Sequence, residues 1–178
     1  MHALRLHHDA GTPLRVVLEE VDESELPEGD VLIDVSHSAL NYKDGLAVTG
    51  KGRIVRGEFP FVPGLDLVGT VAECGTDEFS VGDDVILTGW GTGEARWGGY
   101  AERARASAGP LVPLPAGMSP ADAMHAGTAG VTAALAMEAI ERLGVAPGDG
   151  ALCVTGASGG VGSFAVALLA RAGHEVHA

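Results

Sequence analysis

A glycine-rich segment near the end of the sequence has the residue types and spacing needed to hold a phosphate group. Four glycines fall within residues 156–162. The apolar run Ala151–Thr155 predicts a buried parallel strand before them, and apolar residues at helical spacing from Val161 to Ala172 predict a helix after them. Because glycine has no side chain, backbone N–H groups at the start of this helix can approach a pyrophosphate. We therefore predict dinucleotide binding by Ser158, Gly159, Gly160, Val161 and Gly162.

Two other interpretations of this segment stay open. Residues 156–160 also fit the G-x-S-x-G turn of serine hydrolases, with Ser158 as the nucleophile. Such an enzyme needs an acid and a histidine after the serine, and only His174, Glu175 and His177 follow. The segment is also compatible with a tight turn that binds no ligand. The spacing Ala157-x-Gly159-x-x-Gly162, between a predicted strand and a predicted helix, favours the dinucleotide interpretation.

The composition excludes several classes of function. The chain has 178 residues, 46% of them hydrophobic, which is enough for a buried core. It carries 11 Lys and Arg against 24 Asp and Glu, a formal net charge of −13, which argues against binding to nucleic acid or anionic membranes. Two cysteines, Cys74 and Cys153, are too few for a disulfide scaffold. Because no signal peptide and no membrane-spanning apolar run is recognisable, we expect a soluble, cytoplasmic protein.

The elements that must position the glycine-rich segment fall into two parts. Residues 1–118 are rich in short alternating runs separated by glycines, which predicts antiparallel strands. Ser119, followed by Pro120, predicts the start of a helix that continues to about Leu143, so we place a domain boundary between residues 118 and 119. The expected strands of the first part are Ala3–His7, Leu14–Glu20, Val31–Ser36, Leu65–Cys74, Asp84–Thr88, Tyr100–Arg105 and Leu111–Pro115.

Residues 119–178 are predicted to begin a nucleotide-binding domain. After the glycines and the helix, His174–Ala178 predicts the start of a second strand. The residue that distinguishes NAD from NADP lies about 20 positions after the glycines in such domains. That position falls at or beyond Ala178, so the sequence does not encode the choice, and we expect a truncated chain.

The order of these segments resembles the medium-chain dehydrogenase/reductase superfamily. Segments typical of its barrel are Pro63–Gly69, Phe79–Val85 and Gly98–Glu102. Other segments resemble its zinc-free quinone oxidoreductase-like members and, among these, the NADPH-dependent acryloyl-CoA reductases: Leu40–Asp44, Thr88–Gly91, Trp97–Gly99, Gly127–Ala133 and Val154–Ser163. The resemblance implies an α/β chain in which a GroES-like β-barrel catalytic domain is followed by the first βαβ part of a Rossmann domain.

The resemblance also implies a reaction, the NADPH-dependent reduction of an activated C=C bond. Acryloyl-CoA is the favoured substrate and a quinone is the alternative, with a non-catalytic nucleotide-binding module as a further alternative. Asn41 and Tyr42 are the implied catalytic residues, because charge develops on the substrate carbonyl and needs a hydrogen-bond donor. Tyr42, Thr128 and Thr132 are implied contacts of NADPH. The resemblance further implies a small-molecule substrate and a homodimer.

The resemblance predicts no metal site. Zinc enzymes of the superfamily carry a cysteine where this chain has Asn41, and a His-Glu pair where it has Leu65 and Asp66. Leucine cannot coordinate a metal, and one carboxylate does not hold a catalytic zinc ion.

Two further features are candidates for the substrate site. Trp90 and Trp97 lie among glycines and would either line a substrate cleft or pack the end of the barrel. The basic residues of one short segment would either hold the phosphates of CoA or NADPH, or form a solvated loop neutralised by Asp44 and Glu58. Lys43 and Asp44 are otherwise interpreted as an exposed pair. The basic residues are Lys43, Lys51, Arg53 and Arg56.

Overall fold

The computed structural model describes residues 1–178, which divide into two compact units, Met1–His125 and Ala126–Ala178. The sequence-based boundary after residue 118 precedes this division, which falls inside a helix. None of the helices combines the length and the apolar character that crossing a bilayer requires.

The first unit is built on two antiparallel sheets. Strands β1 and β2 pair with each other, and the other five form a sheet in the order β6-β3-β4-β5-β7. Every strand predicted in this part of the sequence is present, with ends that differ by a few residues. The strands are β1 (His2–His7), β2 (Arg15–Glu20), β3 (Val31–Ser38), β4 (Asp66–Cys74), β5 (Asp84–Thr88), β6 (Arg103–Ala106) and β7 (Val112–Pro113).

The core of this unit lies against the central strands of the larger sheet. Alternate residues of β3, β4 and β5 point inward, as expected for strands with one buried face. Val31, Ile33, Leu67, Val71 and Val85 are almost fully buried there. The packing fixes the register of β4 against β5, because a shift by one residue would turn every core side chain outward.

That register determines which residues meet at one end of the sheet. Asp66, the first residue of β4, pairs with Thr88, the last residue of β5. The loop that begins at Gly89 therefore lies beside the start of β4. A short helix, α1 (Tyr42–Thr49), follows β3 and begins near the same place, since the Asn41 side chain is hydrogen bonded to Asp66.

The second unit contains the strand, turn, helix and strand predicted from the sequence. Helix α2 (Pro120–Arg142) begins in the first unit and has a break at Gly127, where φ is 45° and ψ is −154°. As predicted, Ser119 caps its N-terminus, accepting a hydrogen bond from the Asp122 N–H at 3.1 Å. It is followed by β8 (Leu152–Cys153), α3 (Gly160–Arg171) and β9 (Val176–His177), and β8 and β9 are parallel.

The prediction of a buried strand over Ala151–Thr155 is wrong in extent. Only Leu152 and Cys153 are in a strand, Leu152 is half-buried and Cys153 is exposed. The reason is that β8 has a single neighbour, β9, whereas the strands of a parallel sheet become buried when they are flanked and covered on both faces.

Candidate active site

Two carboxylates, Asp44 and Asp66, are fully buried at the start of α1. One oxygen of Asp44 accepts a hydrogen bond from the Asn41 backbone N–H at 2.8 Å, and the other accepts one from the Leu65 N–H at 3.1 Å. Asp44 thus ties the first turn of α1 to the residue that precedes β4. The interpretation of Lys43 and Asp44 as an exposed pair is therefore wrong for Asp44. Helical geometry turns adjacent residues to different faces, and here one face is toward the core.

The Asn41 side chain is oriented by the second carboxylate. Its Nδ2 donates a hydrogen bond to Asp66 Oδ2 at 2.9 Å. Asn41 is half-buried, so the amide lies at the edge of the core. An amide NH2 group has two N–H donors, and this bond occupies one of them. The arrangement fixes a polar group at a position where the sequence resemblance implies a catalytic donor.

Two groups of this cluster, Asp44 and Tyr100, have raised pKa values. Burial raises the pKa of Asp44, although the hydrogen bonds from Asn41 and Leu65 act in the opposite direction and the charge of Asp66 adds to the increase. Burial, together with the charge of Asp44, also raises the pKa of Tyr100 above its usual range. The Tyr100 hydroxyl therefore stays protonated at neutral pH, and it donates a hydrogen bond to the Ala39 carbonyl at 3.2 Å.

Apolar side chains beside this cluster are exposed. Tyr42 is 83% exposed and Leu40 is 81% exposed. Trp90 is 71% exposed and has a φ of 55°, an uncommon backbone conformation for a residue other than glycine. Tyr42 is therefore not an ordinary core tyrosine, and its ring is accessible to a planar ligand. Trp97, in contrast, is half-buried and lies under the Arg5 guanidinium, with 5.1 Å between that group and the ring centre.

Glu94 connects the segments that surround these exposed side chains. Its carboxylate accepts a hydrogen bond from Lys43 Nζ at 2.6 Å and also pairs with Arg56. Its backbone carbonyl accepts a hydrogen bond from the Arg56 N–H at 2.6 Å. The hydrogen bond from Lys43 and the two positive charges hold the pKa of Glu94 below its usual value. Glu94, and not Asp44 or Glu58, is the residue that neutralises part of the basic segment.

The glycine-rich segment in the second unit forms a tight turn into α3. A Cβ added at Gly162 would lie 2.2 Å from the Gly156 carbonyl oxygen, so only glycine fits there. Gly159 caps the helix, and the first intrahelical hydrogen bond is donated by the Ser163 N–H to the Gly159 carbonyl at 2.9 Å. The N–H groups of Gly160, Val161 and Gly162 consequently have no acceptor in the chain. Three such donors at a helix N-terminus fit the phosphates of a dinucleotide.

The two threonines predicted to contact the cofactor lie on α2 in the same unit. Thr132 is exposed, and its hydroxyl donates a hydrogen bond to the Thr128 carbonyl at 2.7 Å. A Cβ added at Gly160 would lie 3.2 Å from the Ala129 Cβ, so the start of α3 is close to this part of α2. Thr128 therefore precedes a residue that borders the glycine-rich turn.

The groups required for a serine hydrolase are not brought together. Ser158 is exposed and makes no hydrogen bond to a histidine. His177 Nε2 lies 3.1 Å from a Glu175 carboxylate oxygen, and His174 is buried. A nucleophile of this kind needs a base within hydrogen-bonding reach, and no such base lies beside Ser158.

The residues that replace the zinc ligands of related enzymes form a different structure here. Asn41 and Asp66 are hydrogen bonded to each other, and Leu65 contributes only its backbone N–H to Asp44. No three side chains among histidine, cysteine, aspartate and glutamate are arranged to hold a metal ion.

Sequence reasoning missed three residues of the site: Asp44, Glu94 and Tyr100. Each has a partner that is distant in the chain: Leu65 for Asp44, Lys43 for Glu94 and Ala39 for Tyr100. The signal that could have found Asp44 is its place three residues after Asn41, where an acid accepts the N–H of the residue that caps the helix.

Comparison with known proteins identifies the family. Residues 27–116 match the model of the alcohol dehydrogenase GroES-like domain. The chain belongs to the medium-chain dehydrogenase/reductase superfamily. This confirms the predicted α/β class with a GroES-like domain.

Two curated relatives of this chain are named after different substrates. It is 53% identical over 99% of its length to the Escherichia coli protein named "Probable acrylyl-CoA reductase AcuI", of which it covers 54%. It is 44% identical over 90% of its length to the Bacillus subtilis protein named "Putative quinone oxidoreductase YhfP", of which it covers 48%. The chain thus spans about half the length of the curated relatives it matches.

Solved structures show the same fold with a nicotinamide cofactor. The Salmonella enterica oxidoreductase YhdH, crystallised with NADP, superposes with a TM-score of 0.95 at 53% identity, with 99% of this chain and 54% of that chain covered. Bacillus subtilis YhfP, crystallised with NAD, gives a TM-score of 0.92 at 42% identity, with 98% and 53% covered.

Proposed function

We propose that the protein carrying this chain reduces an activated C=C bond with NADPH, and that acryloyl-CoA is its substrate. The observation that supports this most directly is the buried Asp66 carboxylate, which holds the Asn41 amide at the edge of the barrel core beside the exposed ring of Tyr42. The Escherichia coli relative named as a probable acrylyl-CoA reductase supplies the substrate class.

The residues of the second unit fit the cofactor. The three N–H groups at the start of α3 would hold its pyrophosphate, and Gly162 keeps the turn close to the helix. Thr128 and Thr132 of this unit would make further contacts with NADPH, and the exposed Tyr42 of the first unit is the other contact that the resemblance implies. When bound, the nicotinamide supplies a hydride to the β-carbon of the substrate.

Asn41 is assigned the stabilisation of the negative charge that forms on the substrate carbonyl oxygen. One N–H of its amide is held by Asp66, and the second N–H is the donor that would face this oxygen. Because the amide is already fixed, it does not have to reorganise as the charge develops. The hydroxyl of Tyr42, beside Asn41, supplies a second hydrogen-bond donor. A proton added at the α-carbon then completes the saturated thioester.

Quinone reduction is the second candidate, since YhfP bears that name and is 44% identical. It needs the same cofactor and the same hydrogen-bond donors, and it differs only in the molecule that accepts the hydride. A homodimer and a cytoplasmic location stay predictions.

The test is NADPH oxidation by the protein that carries this chain, with acryloyl-CoA and a simple quinone offered separately. We expect a kcat/KM for acryloyl-CoA that exceeds the value for the quinone. A faster reaction with the quinone would favour the second candidate. NADPH binding without oxidation of NADPH by either acceptor would contradict both and favour a non-catalytic module.

A further inference from the structure

The basic residues of segment 43–56, together with Arg15, fall into two groups. Lys43 and Arg56 are neutralised by Glu94. Lys51, Arg53 and Arg15, in contrast, form no ion pair and are exposed. The chain as a whole has a formal net charge of −13. Unpaired positive charges are available to an anionic ligand.

One of these unpaired residues, Arg53, lines a cavity, and Lys51 and Arg15 are sequence neighbours of residues that line it. It has a volume of about 450 Å³ and lies at the C-terminal end of α1. Its lining includes Arg53 and His8 together with the apolar side chains of Leu14, Ala47, Val55 and Phe59. The volume is within the range of small-molecule pockets, and a mainly apolar lining with a few polar groups is typical of them.

Two residues of the lining, Gly50 and Leu14, approach each other closely. Gly50 ends α1 with a φ of 65°, and a Cβ added there would lie 3.5 Å from Leu14 Cδ2. Lys51 and Arg15 are the residues that follow Gly50 and Leu14 in the sequence. Lys51 thus stands between two lining residues, Gly50 and Gly52, and Arg15, the first residue of β2, follows the lining residue Leu14. The neighbouring acids, Asp9 and Glu58, are paired with none of these residues.

The aromatic part of the lining suits a flat ring. His8 and Phe59 are in edge-to-face contact, with ring centres 5.5 Å apart. A ligand that joins a flat heterocycle to phosphate groups would place the ring against the apolar wall and the phosphates at the charged part of the lining, which Arg53 forms and which Lys51 adjoins in the sequence. Guanidinium groups are well suited to phosphates because they donate two parallel hydrogen bonds.

Helix α1 connects this cavity to the proposed site of reduction. Asn41 lies before its first residue, and Gly50 follows its last. Eight helical residues span about 12 Å. The extended pantetheine arm of coenzyme A is longer than this, so it can run along the helix.

We infer that the cavity between Leu14 and Arg53 binds the adenosine phosphate end of coenzyme A, and that the pantetheine arm runs along α1 and delivers the thioester to Asn41. This inference rests on the proposed function, because it assigns the site where the substrate of that function is bound. A free adenine nucleotide has the same chemistry as this end of coenzyme A and is the other source of such a ligand.

The test combines binding and kinetics on the protein that carries this chain. The double variant Lys51→Ala with Arg53→Ala is compared with a control that removes two exposed charges of the second unit, Arg142→Ala with Arg171→Ala. Calorimetry with coenzyme A, 3′,5′-ADP, AMP and pantetheine gives the Kd values. Loss of two phosphate contacts should raise the Kd of coenzyme A and of 3′,5′-ADP about tenfold. The binding of pantetheine, which has no phosphate, should not change.

Kinetics separate this inference from the proposed function. The double variant should raise the KM for acryloyl-CoA about tenfold at an unchanged kcat, and it should leave the quinone and acryloyl-pantetheine reactions unchanged. An unchanged Kd for coenzyme A in the double variant would overturn the inference even if acryloyl-CoA is reduced. AMP binding as tight as coenzyme A binding, with an unchanged KM for the thioester, would also overturn it. Coenzyme A binding that depends on Lys51 and Arg53, without reduction of the thioester, would support the cavity and contradict the proposed function.

Discussion

The two candidate sites of this chain are built in opposite ways. At the start of α1, side chains make the site: two buried carboxylates hold an asparagine amide and a backbone turn through hydrogen bonds of 2.8–3.1 Å. At the start of α3, the site depends on a missing side chain, because a Cβ at Gly162 would collide with the Gly156 carbonyl oxygen. The first site supplies oriented polar atoms, and the second supplies bare N–H groups.

The difference determines which substitutions are harmful. A change that removes atoms should damage the site at α1, where each polar group has a partner whose loss leaves a buried group unsatisfied. A change that adds atoms should damage the turn at α3. The reverse changes should be mild, and this contrast can be tested at both sites.

The largest effect is expected for Gly162→Val. Its Cβ would lie 2.2 Å from the Gly156 carbonyl oxygen, so the turn must open and the N–H groups of α3 lose their arrangement. We expect the loss of measurable NADPH binding, an increase in Kd of at least about a hundredfold, in a fluorescence titration.

Two glycine variants serve as controls for this change. Gly159→Ala places a Cβ 3.3 Å from the same oxygen and should have a smaller effect, whereas Gly109→Ala meets no atom within 4 Å and should have none. Circular dichroism would show whether a variant still folds. Normal NADPH affinity in folded Gly162→Val would contradict the assignment of this turn.

The next effect is expected for Asn41→Ala. Removal of the amide deletes the donor for the developing negative charge, and the loss of one such donor lowers kcat about 100- to 1,000-fold. The Kd of NADPH should stay the same, because the pyrophosphate site is in the other unit. Steady-state kinetics with acryloyl-CoA and a NADPH titration measure the two quantities.

Asp66→Asn is the matched variant for the same hydrogen bond. It keeps the size of the side chain and replaces the charged acceptor with a neutral one, so Asn41 is held more weakly and kcat should fall about tenfold. A kcat in Asn41→Ala that equals the wild-type value would show that the amide does not act on the substrate.

Opposite pH responses are expected for the two acids beside α1. The pKa of Asp44 is raised above 3.8 by burial, so its ionisation costs stability as pH rises from 3.8 through the raised value. The pKa of Glu94 is lowered below 4.5 by Lys43, so its contribution is complete above 4.5 and is lost as pH falls through the lowered value.

Urea unfolding at a series of pH values measures this contrast. Glu94→Gln should lose about 1 kcal/mol near pH 7 and nothing once Glu94 is protonated in the wild type. Asp44→Asn should remove the decline in the wild-type stability above pH 3.8, although it destabilises the protein throughout by losing an acceptor. Parallel pH profiles for wild type and Asp44→Asn would contradict the assigned direction.

The sequence predicted the structure of the turn at α3 better than that of the network at α1, for a physical reason. The turn at α3 is local: seven consecutive residues and their flanking strand and helix determine it. The strands of the barrel were also predictable, because alternation with one buried face is a local pattern. The predicted strand Ala151–Thr155 came out too long, since its burial depends on neighbouring strands and not on its own residues.

The network at α1 depends on residues far apart in the sequence. Asp44 bonds to Leu65, and Lys43 pairs with Glu94, so no spacing rule contains these contacts. Their positions follow from the register of β4 against β5 and from the start of α1 beside Asp66. Resemblance to the family indicated Asn41 and Tyr42 from the sequence. The carboxylate that orients Asn41, Asp66, could be identified only from the folded structure.

The smallest effect is expected for Ser158→Ala. This change removes a hydroxyl oxygen from the glycine-rich turn at α3, where added atoms are harmful and removed atoms are not. Ser158 is exposed and its hydroxyl has no partner in the chain, so the backbone turn does not need it. One lost hydrogen bond to a cofactor phosphate would raise the Kd of NADPH by no more than about tenfold. In a serine hydrolase the same change would remove the nucleophile. Assays of NADPH oxidation and of ester hydrolysis on this variant separate the cases: a lost esterase activity with unchanged NADPH binding would contradict the reductase assignment.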